Sequence, residues 1–483
     1  LTASKNSKLT GAILENPDRP VKNEINLSMS NSQWRFNKSS TLNNLDASNS
    51  EITFAPTSEY KTLTIRDNLT GSSTFNLNTN IAENKNDKII VKGTAEGNHK
   101  IGVTNQGANV ANGKVTLVET NGGNAAFSLT NPNNRVDLGA YQYFLTKEGN
   151  NWILANSKNS VTPTPPVAPV TPSKPVVTPN KPVATPTTQV LPSTPLLSDL
   201  ANAQVSLRQA QLLLVEDDLS GIHQRLGEVK NGEKGNVWVR NVNSRQKLAA
   251  LSTGESETSG FKQNVHSVQV GADAALTDNL RIGGFIGRSQ ANVDFNGHYG
   301  DGKVRSNSVG LYAAYLADNG IYVDNIVKYS RLHANSYLTE KRHYNAYTIS
   351  SELGKRFSLA NDWTITPQAQ LAWTHISSQE NEDSLSSVYS RIGLRVAKGF
   401  ALSNGWNLQP YAEVNAITSK NRSSKIHYTN SALDVASSRG RFESAVGLNA
   451  GFANHRFGLE VSRADGKNFD KPYAIQAVYR YQW

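Results

Sequence analysis

The chain has 483 residues, 37% of them hydrophobic, no cysteine, a mean hydropathy of −0.48 and a formal charge of +10. The length admits two or more domains, and the low hydropathy, with no long apolar run, excludes a membrane protein built from apolar helices. Lys and Arg are scattered singly among Ser, Asn and Thr and form no basic stripe with interleaved aromatics, so nucleic acid is not expected as a partner.

The lack of cysteine excludes disulfides and thiolate metal sites, and suits a chain that crosses an oxidising compartment. The chain starts at Leu1 with neither an initiator Met nor a charged-then-apolar leader, so a fragment or a processed product is expected.

Composition divides the chain into four parts: residues 1–160, rich in Asn, Ser, Thr and Gly; a Pro-rich segment, 161–195; a helical segment, 196–232; and a run of strands, 233–483. In the first part "NSQWRF" recurs as "NSEITF", which sets Trp34 over Ile52 and Phe36 over Phe54 at a spacing of 18, a solenoid rung. Later stretches such as "DKIIVKG" and "KVTLVET" alternate in polarity between Asn and Gly turns and read as further strands. An unrelated β-sandwich is the plainer alternative.

The ordered set "LSMSNSQWRF", "YKTLTIRDNLTGSSTFNLNT", "DKIIVKG" and "VDLGAYQYFLTKEGNNWIL" resembles the pertactin-like junction region of autotransporters, over roughly residues 25–156. The resemblance implies the C-terminal end of a right-handed parallel β-helix passenger, with a capping, autochaperone role for the stacked Trp34, Phe36, Ile52 and Phe54. A folded end rung would lower the cost of adding the next.

Val161 to Pro195 holds 11 of the 18 prolines and cannot build a core. It reads as a semi-rigid spacer of about 100 Å, with a ligand for proline-binding domains as the alternative. Leu196 to Gly232 reads as one amphipathic helix with Asp199 as cap and Gly232 as stop. Arg208, Glu216, Asp217, Asp218 and Arg225 forbid contact with lipid, so this helix belongs in a polar channel or on a protein surface.

From Gly235 twelve strand-like segments follow, with short connections such as "TDN", "DNG" and "SNG" alternating with long ones such as "STGESETSG" and "SSQENEDSLSS". Short turns at one end and long loops at the other describe an outer-membrane barrel. Val309, Leu311, Ala313 and Tyr315 alternate with Ser308, Gly310, Tyr312 and Ala314, while alternation is imperfect in the strand around Asp324. A soluble sandwich of twelve strands is the alternative.

The last strand puts Tyr473, Ile475, Ala477, Tyr479, Tyr481 and Trp483 on one face, and in a closed barrel it must pair with the first. "YRYQW" resembles outer-membrane proteins whose terminal aromatic strand is read by the barrel assembly machinery, which implies that Tyr479, Tyr481 and Trp483 form that signal. Leu196 to Trp483, with "RLGEVK" before "GNVWVR", resembles the autotransporter translocator. That resemblance implies a monomeric barrel in outer-membrane lipid, delivery by periplasmic chaperones, a helix threading the lumen, and a passenger at the surface of a Gram-negative bacterium. The passenger is expected to be an adhesin or virulence factor that meets a host or bacterial surface ligand, with an exported enzyme as the alternative.

No HExxH, GxSxG or P-loop is present, the nine His lack ligand spacing, and no cofactor or metal is expected. "GGFIG", Gly283 to Gly287, reads as close packing within a strand. Part of the resembled family releases its passenger by cyclisation of an Asn shortly before an "RMGDLR"-like segment. Aligning "RLGEVK", Arg225 to Lys230, with it puts Ser220 and Gly221 at the scissile pair, where no succinimide can form, so lumenal self-cleavage is not expected.

Asn202-Ala203 is an intact alternative, about 27 Å upstream along a helix and expected outside the lumen. An N-to-O shift at Ser220 would need a placed acid or base. Glu352 and Glu413, on inward parity, are candidates for that and equally for a polar lining.

Overall fold

Parallel pairing of short strands with one apolar face builds the N-terminal part. The computed structural model describes residues 1–16, 18, 24–107, 113–158 and 190–483, which divide into two units, Leu1–Ser198 (with Tyr428–Ser431) and the remainder from Asp199. In the first unit Trp34 pairs with Ile52, Ile52 with Phe75, Phe75 with Ile101 and Ile101 with Leu129, all in parallel register. These five side chains form one buried apolar stack through successive rungs.

A second sheet runs Ser40–Leu42, Thr62–Ile65, Lys88–Val91 and Lys114–Thr120, again parallel. The result is a parallel β-helix. The rung spacing of 18 holds where Asn26–Ser30 and Gln33–Phe36 pair with Asn44–Phe54, and widens afterwards because later turns take up more chain. One corner is made by Gly71 and Gly97, both at φ +96, where a Cβ would strike the carbonyl of the rung below.

The stack ends in antiparallel strands: Asn151–Ala155 lies against Lys114–Thr120, and Tyr141–Glu148 and Arg135–Leu138 follow. Such strands stop further parallel addition and leave a cap, whose core is Phe144, Ile153, Ala155 and Leu191.

Most of the expected spacer, residues 159–189, lies outside the described residues. Lys158 N donates to Pro192 O (2.8 Å), Gln142 N to Leu196 O (2.9 Å) and Ser198 N to Ala140 O (2.9 Å). The described residues on both sides of that stretch are therefore fastened to the same cap.

In the second unit twelve long strands form a closed antiparallel sheet. They are β1 (Gly235–Leu248), β2 (Phe261–Ala275), β3 (Leu280–Phe295), β4 (Asp301–Leu316), β5 (Ile321–Ser336), β6 (Arg342–Lys355), β7 (Trp363–Ile376), β8 (Leu385–Lys398), β9 (Trp406–Asn421), β10 (Arg441–Phe452), β11 (His455–Gly466) and β12 (Phe469–Gln482). β12 pairs with β1 from Gln482–Asn236 to Phe469–Leu248, which closes the barrel.

Outward positions are apolar and exposed, among them Ile286, Leu311, Val327, Ile349, Ile392 and Val414, whereas inward positions are polar and buried. This inverts the pattern of a soluble sheet and matches a wall between lipid and a polar lumen. Among the described residues no helix is long and apolar enough to cross a membrane. Glycines in the β3–β4 wall make room for aromatic rings: a Cβ on Gly283 would overlap Tyr312, and one on Gly310 would overlap Phe285.

Candidate functional site

The lumen is filled by the helical segment, which is two helices and not the single one expected. α1 spans Asp199–Asp217 and α2 Ile222–Leu226, and Gly227, at φ 68, ends the second. The chain leaves helical geometry at Asp218–Gly221 because side chains there are claimed by the wall. Asp218 Oδ1 accepts from Ser267 Oγ (2.7 Å) and Ser289 Oγ (2.8 Å), and Lys328 Nζ stands 3.8 Å from Oδ2. Gly221 sits so close to Glu352 that a Cβ would strike Oε2.

α1 is buried on all sides from Ala201 to Glu216 although it carries Arg208, Gln209, Gln211 and Glu216. Burying such groups without partners costs several kcal/mol each. The wall supplies partners. Arg208 donates to Asp383 O (2.7 Å) and Ser377 O (3.3 Å), its guanidinium lies 4.9 Å from the Tyr344 ring, and Gln209 Nε2 donates to Ala436 O (2.9 Å). Glu216 Oε1 accepts from Ser419 Oγ (2.5 Å) and Ser387 Oγ (3.4 Å).

Below the break Arg225, fully buried, donates to both Asp324 oxygens (2.8 and 3.1 Å), to Ser220 O (3.0 Å), and stacks 4.3 Å from the Tyr312 ring. The irregular alternation of the Asp324 strand has its reason here, since an inward carboxylate holds the helix. Next to it Arg391 links Glu352 (2.7 Å) and Glu413 (3.2 Å), and Tyr322 OH donates to Glu352 Oε1 (2.8 Å). Beneath α2 a cavity of about 380 Å³ is lined by His223, Glu228, Gln409, Tyr411, Arg456 and Arg480.

Sequence reasoning placed Glu352 and Glu413 on the inward face, but not the arginine between them, nor the partner of Arg225. The available signal was the surplus of ionisable residues on a helix that could not meet lipid, which requires matching charges on inward strand positions.

The remaining singled-out residues fall into separate places. Asn202 is fully buried near the start of α1, its Oδ1 accepting from Ser259 N (2.8 Å) and its Nδ2 donating to Ser259 Oγ (2.9 Å). Ala203 is buried beside it. Trp34 is fully buried with Nε1 donating to Gly11 O (2.9 Å), and its ring lies 4.7 Å from Phe36, itself 4.6 Å from Phe54. Tyr481 and Trp483 are exposed on the outer face, while Tyr479 OH is 2.8 Å from His455 Nδ1. Trp483 O accepts from Lys234 N (3.2 Å) and Gly235 N (3.4 Å), which ties the last residue to the start of β1.

Because α1 meets the long loop 249–260 at Asn202, and Asn231 near the end of the segment donates to Asp318 (3.1 Å) in the short turn after β4, the helical segment runs the length of the lumen. A β-helix followed by a helix sealed inside a lipid-facing barrel defines an outer-membrane translocator that carries its own passenger.

Comparison with known proteins agrees. The family model "Autotransporter beta-domain" matches residues 237–462 and the model "Pertactin" matches residues 42–156. Relatives include the probable autotransporter YcgV of Escherichia coli strain K12, 29% identical over 500 residues, covering 95% of this chain and 50% of that protein. The pertactin autotransporter of Bordetella parapertussis is 30% identical over 502 residues, covering 95% and 54%. Among solved structures, the beta domain of the Bordetella autotransporter BrkA shares 25% identity at a TM-score of 0.43, covering 52% of this chain and all of that one.

The chain belongs to the autotransporters. It is a protein of the outer membrane with a surface-displayed, pertactin-like passenger, and it spans about half the length of the curated relatives it matches.

Proposed function

We propose that the barrel anchors, and the β-helix presents, an adhesive surface passenger that stays covalently joined to its anchor. The observation that carries the adhesive reading is a polar ladder along one exposed edge of the β-helix. Asn44 Nδ2 donates to Asn26 Oδ1 (2.8 Å), Asn68 N to Asn44 Oδ1 (3.1 Å), and Thr94 Oγ1 to Asn68 Oδ1 (2.8 Å). A rigid, repeating array of amides and hydroxyls suits many weak contacts with a sugar- or peptide-coated surface, where multivalency multiplies affinity. The test is adherence and autoaggregation of cells displaying the full chain. Removal of the β-helix at constant barrel density is expected to abolish both, and undiminished adherence would refute the adhesive reading.

Three further assignments accompany it. Tyr479, Tyr481 and Trp483 serve as the signal for barrel assembly before closure, since β12 is paired on both edges once folded. Trp34, Phe36, Ile52 and Phe54 serve as stacked rungs upstream of the antiparallel strands and take part in templating the passenger. Lumenal cleavage is disfavoured because the Asn202 amide is committed to Ser259 and Ser220 O accepts from Arg225. The four parts 1–160, 161–195, 196–232 and 233–483 are the corresponding functional divisions.

A further inference from the structure

The exterior of the barrel carries most of its basic residues on one side, toward the long-loop ends of the strands. β5 begins at Ile321 and shows Ile321, Val323, Asn325, Val327 and Tyr329 outward, then Arg331 and His333. Arg331 is ten residues from the turn, about 33 Å along the strand and, at a tilt near 40°, about 25 Å up the barrel. That is the upper rim of the apolar band, where the headgroups of the outer leaflet begin.

Neighbouring strands repeat the pattern toward the long-loop end. Arg245 and Lys247 on β1, Lys262 on β2, Arg288 on β3, and Lys303 and Arg305 on β4 all point outward. Register makes them contiguous: Arg305 lies opposite His333, Asn307 opposite Arg331, and His333 opposite His343, with the two imidazole rings 4.4 Å apart.

Three acids stand near the edge of this charge: Asp294 and Asp301 sit across from each other, Asp294 also faces Lys262, and Asp470 faces Lys247. Among the described residues no carboxylate lies within 4.0 Å of Arg288, Lys303, Arg305 or Arg331. Inside the lumen, by contrast, Arg225, Arg391 and Lys471 each have an acid.

The other half of the barrel differs. At the corresponding height β7 to β10 present Trp373, Val388, Ala416 and Phe442, with Lys420 a turn higher on β9, and Arg463 on β11 is paired with Asp465 at 2.8 Å. A general need for interfacial cations would be met all round. An arc on one side, in which Arg288 and Arg331 have no acid within 4.0 Å among the described residues and Arg305 Nε meets only the Gln290 amide oxygen (3.2 Å), suits an anion that lies against that side.

We propose that the arc on β1 to β5 binds the phosphate groups of a phosphorylated glycolipid in the outer leaflet. The acyl chains lie along the apolar strips of β3, β4 and β5, and the arginine forks take the phosphates at the rim. Such contact orients the barrel among its lipids and draws an anionic lipid shell to one side.

The experiment uses the full chain in non-ionic micelles, with bisphosphorylated lipid A and the same lipid stripped of both phosphates as probes, read by native mass spectrometry. The parent is expected to prefer the phosphorylated lipid, to release it as NaCl rises from about 50 to about 500 mM, and to keep it against millimolar inorganic phosphate. The variant R288Q/R305Q/R331Q is expected to lose about a hundredfold in affinity and to remain heat-modifiable on gels. The control K420Q/R463Q keeps the parent affinity.

Equal binding of both lipids by the parent overturns the proposal, as does equal loss in variant and control, and displacement by inorganic phosphate shows a free-anion site instead. Should the triple variant not fold, Arg305→Gln alone is expected to lose about fivefold, and no loss there refutes the assignment.

Discussion

Replacing Asp324 by Ala removes the anchor of α2 and leaves the Arg225 guanidinium buried without its carboxylate. The pair is fully shielded, with side-chain exposures of 0% and 1%. Losing one partner of such a pair costs about 3–5 kcal/mol. The lower end applies, because Ser220 O and the Tyr312 ring still hold part of the charge. Three kcal/mol raises the population of an unseated helix by more than a hundredfold.

The barrel wall has its own closed ladder and stays intact, so the loss falls on the plug. The assay is conductance of the full chain in planar bilayers, paired with trypsin digestion read at Arg225 and Lys230. The parent is expected to stay closed and resistant, Asp324→Ala to flicker open and be cut, and the volume-matched pair R225M/D324L to close again, because two apolar groups need no ion. A closed, resistant Asp324→Ala would refute the argument that this ion pair seats the helix.

Trp34→Ala is expected to cost about 3–5 kcal/mol, seen as protease digestion of the passenger on intact cells beside a normal barrel; equal resistance would show that the stack does not hold the cap. His99 lies between the rings of Phe75 and Phe127 with Nδ1 accepting from Ser73 N (3.3 Å) and Nε2 donating to Glu96 O. Burial holds its pKa below the ordinary imidazole value, so below pH about 6.5 the unfolded chain takes a proton that the folded one refuses. Stability of the β-helix rungs, measured by hydrogen exchange on the full chain, should be full above that pH and fall as pH drops through it, and His99→Gln should flatten the dependence. Trp483→Ser is expected to slow barrel insertion and expose the chain to periplasmic proteolysis, and unchanged surface display would count against the terminal signal. Intact mass of purified outer membranes should show one chain; a terminus at Gly221, or at Ala203 and abolished by Asn202→Asp, would refute the absence of cleavage.

How much could be read from the residues follows from how local each signal is. Strand number, facing and the loop-turn alternation are legible because a wall between lipid and water imposes a period of two on every strand, and Val309 to Tyr315 states it directly. The pairing of Trp34 with Ile52 is legible because the repeat there is short and nearly identical. Later rungs are not, since turn lengths between Ile52, Phe75 and Ile101 vary and blur any fixed period. Gly232 as a helix stop fails for another reason. The helix stops earlier, at Asp218–Gly221, where Ser220 and Gly221 are weak helix formers and Asp218 gains two serine hydroxyls and a lysine by leaving the helix. Proline content likewise describes local stiffness, and the anchoring of Pro192 by Lys158 is a long-range fact that no composition carries.

The break at Asp218–Gly221 and the crowding at Gly221 give the lumen one consistent logic. A straight helix through the barrel would present Asp218 and Arg225 at angles set by 3.6 residues per turn, and the wall would have to match them. Breaking the helix lets Asp218 face β2 and β3 while Arg225 faces β5, so that each charge meets the strand that can neutralise it. Gly221 is what the break requires beside Glu352, because any side chain there would push that carboxylate off Arg391 and Tyr322. Gly221→Ala should therefore resemble Asp324→Ala in conductance although it removes no charge. A closed parent-like channel in Gly221→Ala would mean that Glu352 can move aside, and that the polar network below the break is looser than its hydrogen bonds imply.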